Sequence, residues 1–182
     1  MPPLPPCSED DYGILPAAPQ PYLATLEEVR QRFVTEAPHH CERRERIADM
    51  LDIHVAMLRR LFRGEQIRIW VNGGFITHKT WPPRDADIAV LVPTAALPKA
   101  DKDAALPLWT LGRVTAQRGG SGPEVVTDKL HTGLGLTDAY VVSADRPNQV
   151  ESWRRRWSAV KDESGAIVPA MTKGFVEVIE DV

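Results

Sequence analysis

The chain has 182 residues, enough for one compact domain with a buried core. Hydrophobic residues make up 43% and charged residues 26%, which excludes wholesale disorder and matches an ordinary water-soluble globular protein. Lysine plus arginine number 22 against 25 aspartate plus glutamate, a net charge of -3, so the chain does not coat nucleic acid through bulk charge.

Prolines at positions 2, 3, 5, 6, 16, 19 and 21 predict an extended tail over 1-22, with a single domain over 23-182. The tail lacks the charged and apolar regions of a signal peptide, and no apolar run approaches a membrane span, so no membrane contact and a cytoplasmic location are expected. Cys7 and Cys41 are too few for a disulfide framework and read as free thiols. Thr25-Leu26-Glu27-Glu28 fits a capping box and predicts a helix to about residue 35. From Cys41 to Phe62, Ile47, Met50, Leu51, His54, Met57, Leu58, Leu61 and Phe62 recur at steps of three and four, the mark of a long amphipathic helix. Its arginines, Arg43, Arg44, Arg46, Arg59, Arg60 and Arg63, alternate with acids and predict a salt-bridged, solvated face, while His54 falls on the apolar side as a core histidine.

Gln66 to Val71 alternates Ile67, Ile69 and Val71 with Arg68 and Trp70, predicting a strand that Asn72-Gly73-Gly74 ends in a turn. Ala86 to Val92 reads as a buried strand stopped by Pro93. Leu106 to Val114 fits strand or helix equally, and 119-123 reads as a loop. Leu134 to Val142 predicts a third strand, Gln149 to Val160 a helix with Trp153 and Trp157 in the core and Arg154 to Arg156 outside it, and Phe175 to Ile179 a last strand. Together these predict an α/β fold, a mixed sheet backed by the two N-terminal helices.

Chemistry concentrates at three acids. Asp85 and Asp87, two apart at the entrance to a strand, present both carboxylates on one face, and Asp138, entering the next predicted strand, can join them. Three such carboxylates repel unless a dication neutralises them, and Mg2+, or Mn2+, suits an all-oxygen set. Gly73-Gly74 just upstream lets backbone approach an anion such as a triphosphate closely. The plain alternative is a hairpin turn followed by solvated aspartates. His39-His40-Cys41 lacks the second ligand pair of a zinc site. Gly133-x-Gly135 lacks the third glycine of a dinucleotide fingerprint, and neither a P-loop nor a nucleophile elbow occurs.

The segment from Trp70 through Gly73-Gly74-Phe75-Ile76-Thr77 to Asp85-Ala86-Asp87-Ile88-Ala89-Val90 resembles the polymerase-beta-like nucleotidyltransferase superfamily. It is most similar to small bacterial and phage proteins in which Gly-x-Phe-x-Thr-x-Lys precedes Pro-x-Asp-x-Asp and a Lys-Gly-x-Val-Glu segment follows, here Lys173 to Glu177. The resemblance implies a nucleotidyltransferase-like mixed sheet and transfer of a nucleoside monophosphate from an NTP substrate to an RNA, tRNA included, or protein acceptor, as in toxin-antitoxin or phage-defence modules. It implies metal ligation by Asp85, Asp87 and Asp138, with Asp138 also activating the attacking hydroxyl. Gly73, Gly74, Lys79 and Arg84 would face the triphosphate, although Gly74 stands where many members carry serine and supplies no hydroxyl. The alternative is a catalytically silent domain that binds nucleotide or a partner protein.

Overall fold

The computed structural model describes residues 3–117 and 124–180. A five-stranded mixed sheet forms the body, with strands β1 (Tyr22–Ala24), β2 (Arg68–Asn72), β3 (Ala86–Val92), β6 (Thr137–Ser143) and β9 (Val176–Val178) in the order β1-β9-β2-β3-β6. The pairs β1-β9 and β3-β6 are parallel, whereas β9-β2 and β2-β3 are antiparallel. Two short hairpins lie outside it: β4 (Leu111–Gln117) with β5 (Glu124–Leu130), and β7 (Ala159–Lys161) with β8 (Ile167–Thr172). The helices are α1 (Leu26–Arg30), α2 (Cys41–Leu61), the single turn α3 (Lys102–Ala105) and α4 (Pro147–Trp157). None of the described helices is long and apolar enough to cross a membrane.

The expected capping box closes α1: Thr25 Oγ1 accepts from the Glu28 amide and the Glu28 carboxylate accepts from the Thr25 amide. The helix runs on as a wider π-helical segment, Gln31–Thr35. Val29 and Phe33, with Ile47, Leu51, Val55 and Leu58 of α2, pack against Ile69, Val71, Ile88 and Val90 of the sheet in the main core. His54 is buried among them, its ring nitrogens 3.0 Å from Thr137 Oγ1 and 3.1 Å from the Leu108 carbonyl, as a satisfied core histidine should be.

The opposite face of the sheet carries a second core of Trp70, Ala89, Leu91, Val142, Trp157 and Phe175, against which α4 packs. The strand at Gln66 to Val71 therefore has no polar side at Trp70, which is 1% exposed, because helices cover both faces of the sheet. Arg44 corrects a second expectation. Instead of joining a solvated face it is 0% exposed and donates to the carbonyls of His39, Phe33, Phe75 and Thr77, stitching α2 to the chain that follows the glycine turn. Arg30 with Asp49 and Asp52, and Arg46 with Glu42, do form surface ion pairs.

Several boundaries also move. The predicted third strand starts at Thr137, because Gly133–Gly135 form a 3-10 turn with Leu134 left-handed and 94% exposed. The last helix stops at Trp157, and Ala159 already belongs to β7. The ambiguous stretch splits into a 3-10 turn, Leu106–Leu108, and β4. The loop expected at 119-123 lies outside the described residues. The proline-rich segment is irregular as expected, but it packs on the body through buried Leu4 and Leu15, and a tail boundary after residue 22 falls inside β1.

Candidate functional site

The sheet register builds the site. In the parallel β3-β6 pair Asp87 stands opposite Asp138, followed by Ala89 opposite Tyr140 and Leu91 opposite Val142. Alternation puts these residues on the side of the second core, and Asp85, one residue before β3, shares that parity. The three acids thus gather where the aromatic core ends, in a cavity of about 520 Å3. All seven residues singled out from the sequence line it: Gly73, Gly74, Lys79, Arg84, Asp85, Asp87 and Asp138. Trp153, Trp157 and Tyr140 form one wall and the β7-β8 turn another. A larger concavity of about 1090 Å3 lies elsewhere, beside Arg59, Arg60, Arg63 and Arg68. It holds none of the seven, and two of its arginines are paired, Arg68 with Glu177 and Arg59 with Glu180.

The glycine turn is shaped around the acids. Gly73 has φ +85°, and a side chain there would place its Cβ 2.7 Å from Asp87 Oδ2, so strand and turn close together only with glycine. At Gly74 a Cβ would run into the Lys79 ammonium, with Cε at 2.7 Å. Lys79 therefore fills the space that a serine side chain would take. Lys173, 7% exposed, reaches the same turn and donates to Asn72 Oδ1 and, at 3.2 Å, to the Gly73 carbonyl. Asn72 in turn donates to the Trp157 carbonyl at 2.9 Å. Arg84 is exposed, and its backbone carbonyl accepts from Arg43 of α2.

Two further groups face the acids, and neither is among the seven residues singled out from the sequence. Lys129, at the end of β5, pairs with Asp138 Oδ2, which also accepts from Tyr140 at 3.1 Å. His131 Nδ1 lies 3.0 Å from Asp85 Oδ2. Lys129 and His131 are two apart on an extended segment, the same spacing that joins Asp85 to Asp87, and that repeat was the available signal. One ligand atom each from Asp85, His131 and Asp138 lies within 4.8 Å of the others.

Electrostatics follow from burial and from these partners. Burial pushes the Asp87 carboxyl up to about 6, and the Asp85 and Asp138 charges add to the rise. Burial also acts to raise Asp138, but hydrogen bonds, that from Lys129 foremost, outweigh it and hold the group below its ordinary value. Burial brings Lys79 and Lys173 each down to about 8. The site suits a dication: its donors are hard oxygens and one imidazole, Asp87 is strained by neighbouring negative charge, and Asp138 Oδ1 is buried with no hydrogen-bond partner among the described residues.

The chain belongs to the Family of unknown function DUF6932, whose profile matches residues 6–179. No curated protein and no solved structure matches it.

Proposed function

We propose that this DUF6932 protein is a dication-dependent nucleotidyltransferase, moving a nucleoside monophosphate from an NTP to an acceptor hydroxyl with release of pyrophosphate. One observation carries the reading: the register of β3 against β6 sets Asp87 beside Asp138, with Asp85 on the same face and a glycine turn closed over them. Asp85, Asp87 and Asp138 would hold Mg2+ or Mn2+. Such an ion supplies charge neutralisation on the triphosphate and polarises the bond to the leaving pyrophosphate. Asp138, kept ionised by Lys129, is the carboxylate able to accept the proton of the attacking hydroxyl. Lys79 and Lys173 lie against the glycine turn, where their ammonium groups offset phosphate charge, and Arg84 extends that basic rim. The acceptor fits an RNA, tRNA included, or a partner protein, in a toxin-antitoxin or phage-defence setting.

A second reading has its own support. Lys129 on Asp138 supplies a counter-charge from within the chain, as a silent domain that binds nucleotide or a partner would need. Incubation with each α-labelled NTP and Mg2+ or Mn2+, with and without total RNA, separates the two. Label transferred to RNA or protein, and lost in Asp87→Asn and Asp138→Asn, is the expected result. Saturable nucleotide binding without transfer would favour the silent domain, and neither binding nor transfer would overturn the transferase and leave only a domain that binds a partner protein.

A further inference from the structure

The all-oxygen chemistry expected of three aspartates does not describe the cluster that the fold assembles. The donors drawn tightly together are two carboxylates and an imidazole, contributed by Asp85, His131 and Asp138. We infer that these three form a mixed nitrogen and oxygen site that takes a first-row transition dication in preference to Mg2+. The inference rests on the proposed reading only in placing a dication between Asp85 and Asp138, and it does not depend on the reaction.

Geometry carries it first. Ligand atoms about 2.1 Å from one ion and at right angles to each other lie about 3.0 Å apart. The separation of His131 Nδ1 from Asp85 Oδ2 is 3.0 Å. Asp138 contributes a second, independent sign of a missing ligand. Lys129 and Tyr140 both use its Oδ2, while Oδ1 is buried without a hydrogen-bond partner among the described residues, and the residue is 4% exposed.

The chain that carries the imidazole is also anchored. The residue after it, Thr132, is 6% exposed and bonds through Oγ1 to Thr137 Oγ1 at 2.8 Å, the hydroxyl that contacts His54 at 3.0 Å. Thr137 immediately precedes Asp138, so one buried network ties the residue after His131 to the residue before Asp138. Such preorganisation is what a metal site requires of its surroundings. Mg2+ favours oxygen ligands and retains its waters, whereas an imidazole raises affinity for the later dications, of which Mn2+ is the weakest binder and hence the strictest probe.

The test uses the full chain without nucleotide. Mn2+ binding is followed by loss of the free-ion electron paramagnetic resonance signal, Mg2+ by competition, and nitrogen ligation by pulsed spectra of the bound ion. Wild type is expected to bind Mn2+ about tenfold or more tighter than Mg2+, with a directly bonded nitrogen coupling. His131→Ala and His131→Asn should lose the coupling and about tenfold in Mn2+ affinity while Mg2+ changes by less than about threefold. Asp138→Asn should lose both ions. Bound Mn2+ without nitrogen coupling, or no Mn2+ binding below about 1 mM, overturns the inference, whereas label transfer with Mg2+ judges the transferase separately. Should the histidine variants fail to fold, as their metal-free melting would report, the wild-type coupling alone decides.

Discussion

Replacing Arg44 by methionine keeps most of the buried volume and removes the guanidinium. Four carbonyls, those of His39, Phe33, Phe75 and Thr77, then lose their donor. Three of them, those of Phe33, Phe75 and Thr77, are buried, and an unsatisfied buried acceptor costs about 1–3 kcal/mol, so at the lower end of that range the three together amount to roughly 3 kcal/mol. A domain of this size is stable by about 5–15 kcal/mol, so the variant should fold but with a large part of its margin gone. Urea unfolding followed by tryptophan fluorescence measures this directly, with the midpoint lowered and the denaturant slope unchanged. Because Phe75 and Thr77 follow the glycine turn, nucleotide or dication affinity should weaken in the same variant under native conditions. A loss below about 1 kcal/mol would refute the reasoning, since the carbonyls would then have other partners or water.

Asp87 gives a pH dependence of defined sign. Its folded value of about 6 lies above the ordinary 3.8, so its contribution is fully present below 3.8 and is lost as pH rises through about 6. Metal-free melting should fall more steeply over that window in wild type than in Asp87→Asn, and equal slopes would contradict the assignment. Gly73→Ala combines a left-handed backbone penalty of about 1–2 kcal/mol with a Cβ set against Asp87, whereas Gly64→Ala has the same φ of +85° and open space. Denaturation should therefore show Gly73→Ala the more destabilised, and identical losses would mean that Asp87 gives way freely. Lys129→Met removes the counter-charge on Asp138, so added Mn2+ should raise its melting temperature by more than it raises that of wild type. A smaller rise would show that Lys129 does not compete with the ion.

The parts of the fold that bury a periodic apolar face were legible from sequence. Helix α2 and strand β3 appear within a residue of their expected limits, and the parity of Asp85 and Asp87 follows from β3 alone. What escaped has a common physical cause. The hairpins β4-β5 and β7-β8 lie outside the main sheet and leave Val126 63% and Ile167 65% exposed, so they carry no pattern that burial imposes. Arg44 is buried for the sake of carbonyls distant in sequence, which local periodicity does not encode. Trp70 was misread because alternation counts one covered face, whereas this sheet has two. For His131 the two-residue spacing from Lys129 is the local signal, but its approach to Asp85 joins segments 46 residues apart and is set by the fold.

The acids and the side chains that face them occupy different mechanical units. Asp87 and Asp138 are locked by the register of two strands in the main sheet, so moving either means breaking the sheet. Lys129 and His131 come from the end of β5 and the link beyond it, a separate two-stranded unit. Substitutions along that hairpin can therefore reset the charge opposing the carboxylates while leaving the foundation of the domain untouched. The negative half of the site is built into the main sheet, and the Lys129 charge that opposes it rides on the hairpin alongside.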